Sequence, residues 1–184
     1  VYAAATLLGT DSRQTLTALS MLHPVSGRFE PITAADGTVA IVDYAHTPDA
    51  LQNVLQTIEE VRRPQQNLIV VCGCGGDRDR TKRPEMAAIA VEHATTTIFT
   101  SDNPRTEDPE AILADMIAGA GTAARYLKIT DRAEAIKTAV MLAAPGDMIL
   151  VAGKGHEDYQ IIGGEKHRFD DREHLREAFA AKGI

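Results

Sequence analysis

Between residues 38 and 151 the chain alternates short apolar runs with stretches in which apolar residues return every three or four positions. Short, largely apolar runs point to strands covered on both faces, as in a parallel sheet, whereas a half-exposed strand would alternate. Residues 38–42, 68–71, 96–99, 126–129 and 148–151 are the five candidates. Between them Leu51, Val54, Leu55, Ile58 and Val61 fall on one helical face. Met86, Ile89, Ala90 and His93 do so again, then Ile112, Met116 and Ile117, then Ala135, Ile136, Ala139 and Val140. Strand and helix in alternation predict an α/β fold: a mostly parallel sheet with flanking helices and right-handed crossovers. Residues 159–162 and 166–169 around Gly163-Gly164 predict a C-terminal β-hairpin, with a last helix from Asp171 to about Ala181.

The first 22 residues have a different character. They are rich in Ala, Leu and Thr, and Asp11-Ser12 is suited to cap a second helix. No capping residue precedes Val1, so the chain is expected to open inside a helix that began earlier, as a fragment of a longer protein. Its start lacks the basic region of a secretory signal, and no apolar run nears the ~20 residues of a membrane span. A net charge of −7 argues against sequence-independent binding to nucleic acid. Cys72 and Cys74 are too close for an ordinary disulfide and have no second cysteine pair to complete a zinc site. They read as small buried residues in a reducing cytoplasm.

Ligands of open α/β sheets bind beyond the carboxyl ends of the strands. The segments in that position are Asp43-Tyr44-Ala45-His46-Thr47-Pro48-Asp49, Gly73-Cys74-Gly75-Gly76-Asp77-Arg78, Ser101-Asp102-Asn103-Pro104-Arg105 and Gly153-Lys154-Gly155-His156-Glu157-Asp158. All four are dense in groups that bind phosphates, carboxylates and amines, which predicts a shared site. Arg78 and Arg105 could grip a carboxylate or phosphate with two parallel bonds, or be solvated surface charge. His46 and His156 are site residues or turn caps, and Asp49, after Pro48, is placed to cap the next helix. Gly73–Gly76 lacks the third spaced glycine of a dinucleotide fingerprint, and no Gly-x-x-x-x-Gly-Lys-Ser/Thr phosphate loop occurs.

These four segments, the second extended to Asp79, resemble in their order the Mur ligase family, over about residues 25–179. The Asp102-Asn103-Pro104-Arg105 form is similar to the branch that adds meso-diaminopimelate. The resemblance implies a three-domain, ATP-dependent amide ligase of peptidoglycan precursor synthesis. Residues 23–184 would be its Rossmann-like C-terminal domain and residues 1–22 the end of its central ATPase domain or a linker. Implied cofactors are ATP and Mg2+, with the main phosphate and metal ligands outside this chain, so that the fragment alone would be inactive. Implied substrates are meso-diaminopimelate and UDP-MurNAc-L-Ala-D-Glu, joined through an acyl phosphate. By the same resemblance Arg28, Asp43 and His46 bind ATP, while Arg78, Asp102, Asn103, Pro104, Arg105, Gly153 and Glu157 bind meso-diaminopimelate. No residue is assigned to catalysis or to a metal, and Lys154 and His156 receive no role. A lysine-adding member, an amide ligase like folylpolyglutamate synthase and a non-catalytic nucleotide-binding domain are the alternatives.

Overall fold

The computed structural model describes residues 1–21, 25–122 and 124–184. The expected boundary between residues 22 and 23 lies outside the described residues. Two short helices, α1 (Tyr2–Leu7) and α2 (Ser12–Ser20), precede strands β1 (Glu30–Thr33) and β2 (Val39–Asp43). Then come α3 (Pro48–Val61), β3 (Leu68–Cys72), α4 (Lys82–His93), β4 (Thr96–Phe99), α5 (Pro109–Ala120), β5 (Tyr126–Lys128), α6 (Arg132–Leu142) and β6 (Met148–Ala152). A hairpin of β7 (Tyr159–Ile162) and β8 (Glu165–Arg168) leads into α7 (Asp171–Lys182). Asp11 caps α2 as expected, its carboxylate accepting from the Gln14 N–H at 2.9 Å.

Six strands form one sheet in the order β1-β2-β6-β3-β4-β5, with all neighbours parallel except β1 and β2. Alternate residues of the central strands feed two cores. Leu68, Val70 and Cys72 of β3 and Met148, Leu150 and Ala152 of β6 pack with α3, α4 and α5. Ile69, Val71, Ile149 and Val151 pack with α6 and α7 on the other face. Right-handed crossovers explain this division: β2 to β5 progresses in one direction with its helices on one face, and the return from β5 to β6 puts α6 on the other. Every residue of β3 and β6 is buried, which is why both read as unbroken apolar runs.

Four local expectations are corrected. β5, read as a strand covered on both faces, is an edge strand whose Leu127 and Lys128 are exposed. β1 was not predicted, because Glu30-Pro31-Ile32-Thr33 carries no apolar run; it is an edge strand, paired on one side with β2, where proline is tolerated. The cap of α3 is Thr47 rather than Asp49: Pro48 occupies the first helical turn, and the Thr47 hydroxyl accepts from the Ala50 N–H. Val61, expected on the buried face, is 62% exposed at the helix end.

Beneath the carboxyl ends of the strands lies an ion pair shielded from solvent on both sides. Arg132 donates through Nε to Asp171 Oδ1 at 2.7 Å and through Nη2 to Asp171 Oδ2 at 2.8 Å. Nη2 also donates to the Ala152 carbonyl at 3.1 Å, and Nη1 to that of Ser101 at 3.4 Å. One guanidinium thus ties α6, α7 and the ends of β4 and β6. Replacing Arg132 by Met leaves a buried carboxylate unpaired and is expected to cost about 3–5 kcal/mol. For a chain of this size that lowers the thermal midpoint by roughly 6–20 °C. A calorimetric scan showing less than ~2 °C would remove this pair from the structural account.

Candidate functional site

The loops after β2, β3, β4 and β6 converge on one cleft of about 200 Å³. Its walls are Tyr44, His46 and Thr47; Gly75, Arg78 and Lys82; Asp102, Asn103 and Arg105; Gly153 and Glu157. His46, Arg78, Asp102, Asn103, Arg105, Gly153 and Glu157, all expected from sequence, are therefore brought together. Tyr44, Thr47, Gly75 and Lys82 are added by the structure; each lay in or beside a quoted loop, but none had a distinguishing pattern.

Opposite charges occupy different parts of the cleft. Arg105 and Arg78 both pack on Gly75: a Cβ there would come within 2.7 Å of Arg105 Nη1 and 3.8 Å of Arg78 Cγ. Arg105 itself has a left-handed φ of 55°, and its N–H donates to the Ile161 carbonyl at 2.9 Å. Its Nη1 donates to the Gly76 carbonyl at 2.7 Å, so the guanidinium is aimed by backbone rather than by Asp102 or Glu107. Asp102 lies against Gly153 instead. The Gly153 φ of 121° and the 2.5 Å that would separate a Cβ from Asp102 Oδ2 leave room for glycine alone.

Asp102 is buried, and among the described residues no donor hydrogen-bonds its carboxylate. Burial pushes its titration up, while Arg132 and Lys154 pull it back. Beside it Asn103 Nδ2 donates to Glu157 Oε2 at 2.9 Å, and Lys154 Nζ donates to the same oxygen at 3.1 Å. A pair of carboxylates thus faces the cleft across a polar floor. Burial raises Cys74 to about 12 and raises Cys72 further, so both thiols, packed in the core, stay protonated.

Three expected site residues do not line this cleft. Pro104 faces a second cavity near Gln160 and Ile162. Arg28 is exposed and lies over the Tyr44 ring, 4.8 Å from its centroid, with the His46 and His156 rings 4.5 and 5.1 Å from Tyr44. Asp43 accepts from the N–H groups of Phe29 at 2.7 Å and Ala45 at 2.8 Å. Since Phe29 has a left-handed φ of 45°, Asp43 holds a strained turn next to Arg28. Among the described residues there is no group of three or more His, Cys, Asp and Glu side chains able to hold a metal ion. No helix there is long and apolar enough to cross a membrane.

The Gly75–Arg78 loop is held to the Arg105 loop by a second buried cation, which the sequence did not reveal. Arg83 donates to Glu107 Oε1 at 2.9 Å and to Asp115 Oδ2 at 2.8 Å, and Glu107 also accepts from the Asp77 N–H at 2.6 Å.

Comparison with known proteins is consistent along the whole chain. The family profile described as "Mur ligase, glutamate ligase domain" matches residues 27–155. A UDP-N-acetylmuramoyl-L-alanyl-D-glutamate–2,6-diaminopimelate ligase of Parabacteroides distasonis is 57% identical over 184 residues, 99% of this chain and 38% of its own length. A protein of the same name from Phocaeicola vulgatus is 54% identical over 182 residues, again 38% of its length. A solved structure of a UDP-N-acetylmuramoyl-L-alanyl-D-glutamate–2,6-diaminopimelate ligase superposes with a TM-score of 0.81 at 46% identity, covering 100% of this chain and 37% of that one. The chain therefore spans little more than a third of the relatives it matches.

The clamp at Glu107 has an acid signature. The Arg83 hydrogen bond, then the Asp77 N–H, hold its carboxyl at about 2, below the ordinary 4.5. A folded value below the unfolded one means that the unfolded chain takes up the proton first as pH falls. The stability that Glu107 contributes is complete above about pH 4.5 and lost toward pH 2. Urea titrations across this window should show a shallower loss of stability for Glu107→Gln than for the native chain, from a lower starting value. Parallel curves would mean that Glu107 does not carry the linkage.

Proposed function

The chain belongs to the Mur ligase family, and from that premise we propose that residues 23–184 are the amino-acid-binding, C-terminal domain of a cytoplasmic ligase. The ligase uses ATP to join meso-diaminopimelate to UDP-MurNAc-L-Ala-D-Glu. Residues 1–22 would then be the end of the ATP-binding part, in keeping with the absence of any buried residue in α1. The observation that carries the substrate is the division of charge in the cleft. A diamino dicarboxylate needs cations for its carboxylates and a desolvated anion for its distal ammonium. Arg78 and Arg105 at Gly75 supply the first, and Asp102 and Glu157 near Gly153 supply the second. An ammonium would also give the Asp102 carboxylate a donor.

In the proposed reaction ATP converts the dipeptide carboxylate to an acyl phosphate. The amine of diaminopimelate attacks its carbonyl carbon, the C–N bond forms and phosphate leaves. The work of this domain is to fix that amine in place, since orienting a nucleophile converts an encounter between two molecules into a step within one complex. Arg28 and His46, gathered around Tyr44, would bind the nucleotide, with Asp43 acting through the Phe29 turn. Mg2+ and most of the triphosphate would be held outside this chain.

Amino-acid-dependent release of ADP by the full-length ligase tests the assignment: meso-diaminopimelate should support it and lysine should not. Lysine lacks the distal carboxylate and would leave the Arg105 guanidinium unpaired. Arg105→Ala is expected to lower kcat/KM for diaminopimelate by about 2 kcal/mol, the lower end for a truncated charge pair, or roughly thirtyfold. It should narrow the preference over lysine by a similar factor. If Arg105 merely braces its loop, both substrates suffer equally and the preference ratio stays where it was.

A further inference from the structure

Lys154 is fully buried, yet its ammonium belongs neither to the proposed ligand contacts nor to the hydrophobic core. Its Nζ donates to Asn103 Oδ1 and to Glu157 Oε2, both at 3.1 Å, with the Tyr159 ring centroid at 5.5 Å. Asn103 Oδ1 also accepts from the Ile161 N–H at 2.9 Å. With two donors on its carbonyl oxygen, the Asn103 amide can present only its nitrogen to Glu157, and it does so at 2.9 Å. Glu157 Oε2 therefore takes two donors from below, one charged and one neutral. The carboxylate is fixed in one rotation where Glu157 lines the cleft, with the Tyr159 hydroxyl as a further neighbour.

We propose that Lys154 is a positioning residue: from beneath the site it locks Asn103 and Glu157 as one unit, and so makes the cleft select substrates that carry a distal ammonium. The proposal rests on the reading of the cleft as an amino-acid site, and it separates two tasks within it. Arg105 would select the distal carboxylate, whereas the Lys154–Asn103–Glu157 unit would select the distal amine. An unlocked Glu157 could still attract a cation, but without a fixed acceptor it would not reject a substrate that lacks one.

The experiment compares meso-diaminopimelate with 2-aminopimelate, which has both carboxylates and no distal amine, in the full-length ligase. The native enzyme should prefer the diamine. Lys154→Met should reduce that preference about tenfold or more, the scale of one hydrogen bond to a charged group. The change should lie in KM for the amino acid, with KM for ATP unmoved. In a Glu157→Gln background the same substitution should have no further effect on the preference, because Lys154 acts through Glu157. An equal loss for both amino acids, or an undiminished effect without Glu157, would make Lys154 a structural residue and overturn the proposal. Should Lys154→Met not fold, Lys154→Gln, which keeps a donor, is read by the same ratio. A native enzyme that uses lysine but not diaminopimelate would refute the assigned substrate alone, and Lys154 is then judged by lysine against 2-aminohexanoate. An enzyme that uses none of these overturns both.

Discussion

Burying Arg132 and Asp171 together strips two full charges of water, a cost that a bidentate geometry and further hydrogen bonds must offset. Both conditions are met, and the further bonds fall at consequential places. They go to the carbonyls of Ala152 and Ser101, the residues immediately before Gly153 and Asp102. The two loops that form the acidic part of the cleft thus leave the sheet from points fixed to the same guanidinium. Gly153 and Asp102 can then approach to a distance that no other residue at position 153 would permit. The clamp sets the height of these loops, and the hairpin completes their shape: Ile161 receives the Arg105 N–H and gives its own to Asn103.

A second clamp acts on the basic part. Arg83, with Glu107 and Asp115, holds the Gly75–Arg78 loop beside the loop of Arg105, and does so from the face opposite α6 and α7. Each half of the cleft therefore rests on a cation that is buried in a different core. The design explains how two arginines and two carboxylates coexist in a small cleft without collapsing onto one another. Arg105 is aimed by the Gly76 carbonyl and Glu157 is held by Asn103 and Lys154, so the two do not pair with each other.

These clamps mark the border of what was legible in the sequence. The central strands β3 and β6 could be read because burial on both faces forces unbroken apolar runs, and the site loops because they follow such runs in a sheet of this kind. Arg83, Arg132 and Lys154 could not, since a cation in a sequence looks solvated until its carboxylate is located. Asp171 lies 39 residues from Arg132, and Glu107 lies 24 from Arg83. β1 was hidden for a related reason, its conformation being imposed by pairing with β2 rather than by its own residues. The cap at Thr47 was different: Pro48 already marks the first helical position, and that rule places the cap one residue earlier.

Asp102 shows why the buried cations matter for the chemistry as well as for the fold. A carboxylate at this depth, with no hydrogen-bond donor among the described residues, is driven toward its neutral form by desolvation. Arg132 and Lys154 oppose that drift without touching the carboxylate, while the Glu157 and Asp171 carboxylates add to it. Held at a distance, the two cations keep Asp102 closer to ionisation while leaving its oxygens free for a ligand. A cation placed beside Gly153 would offset the desolvation that disfavours the Asp102 carboxylate, which a neutral group would not.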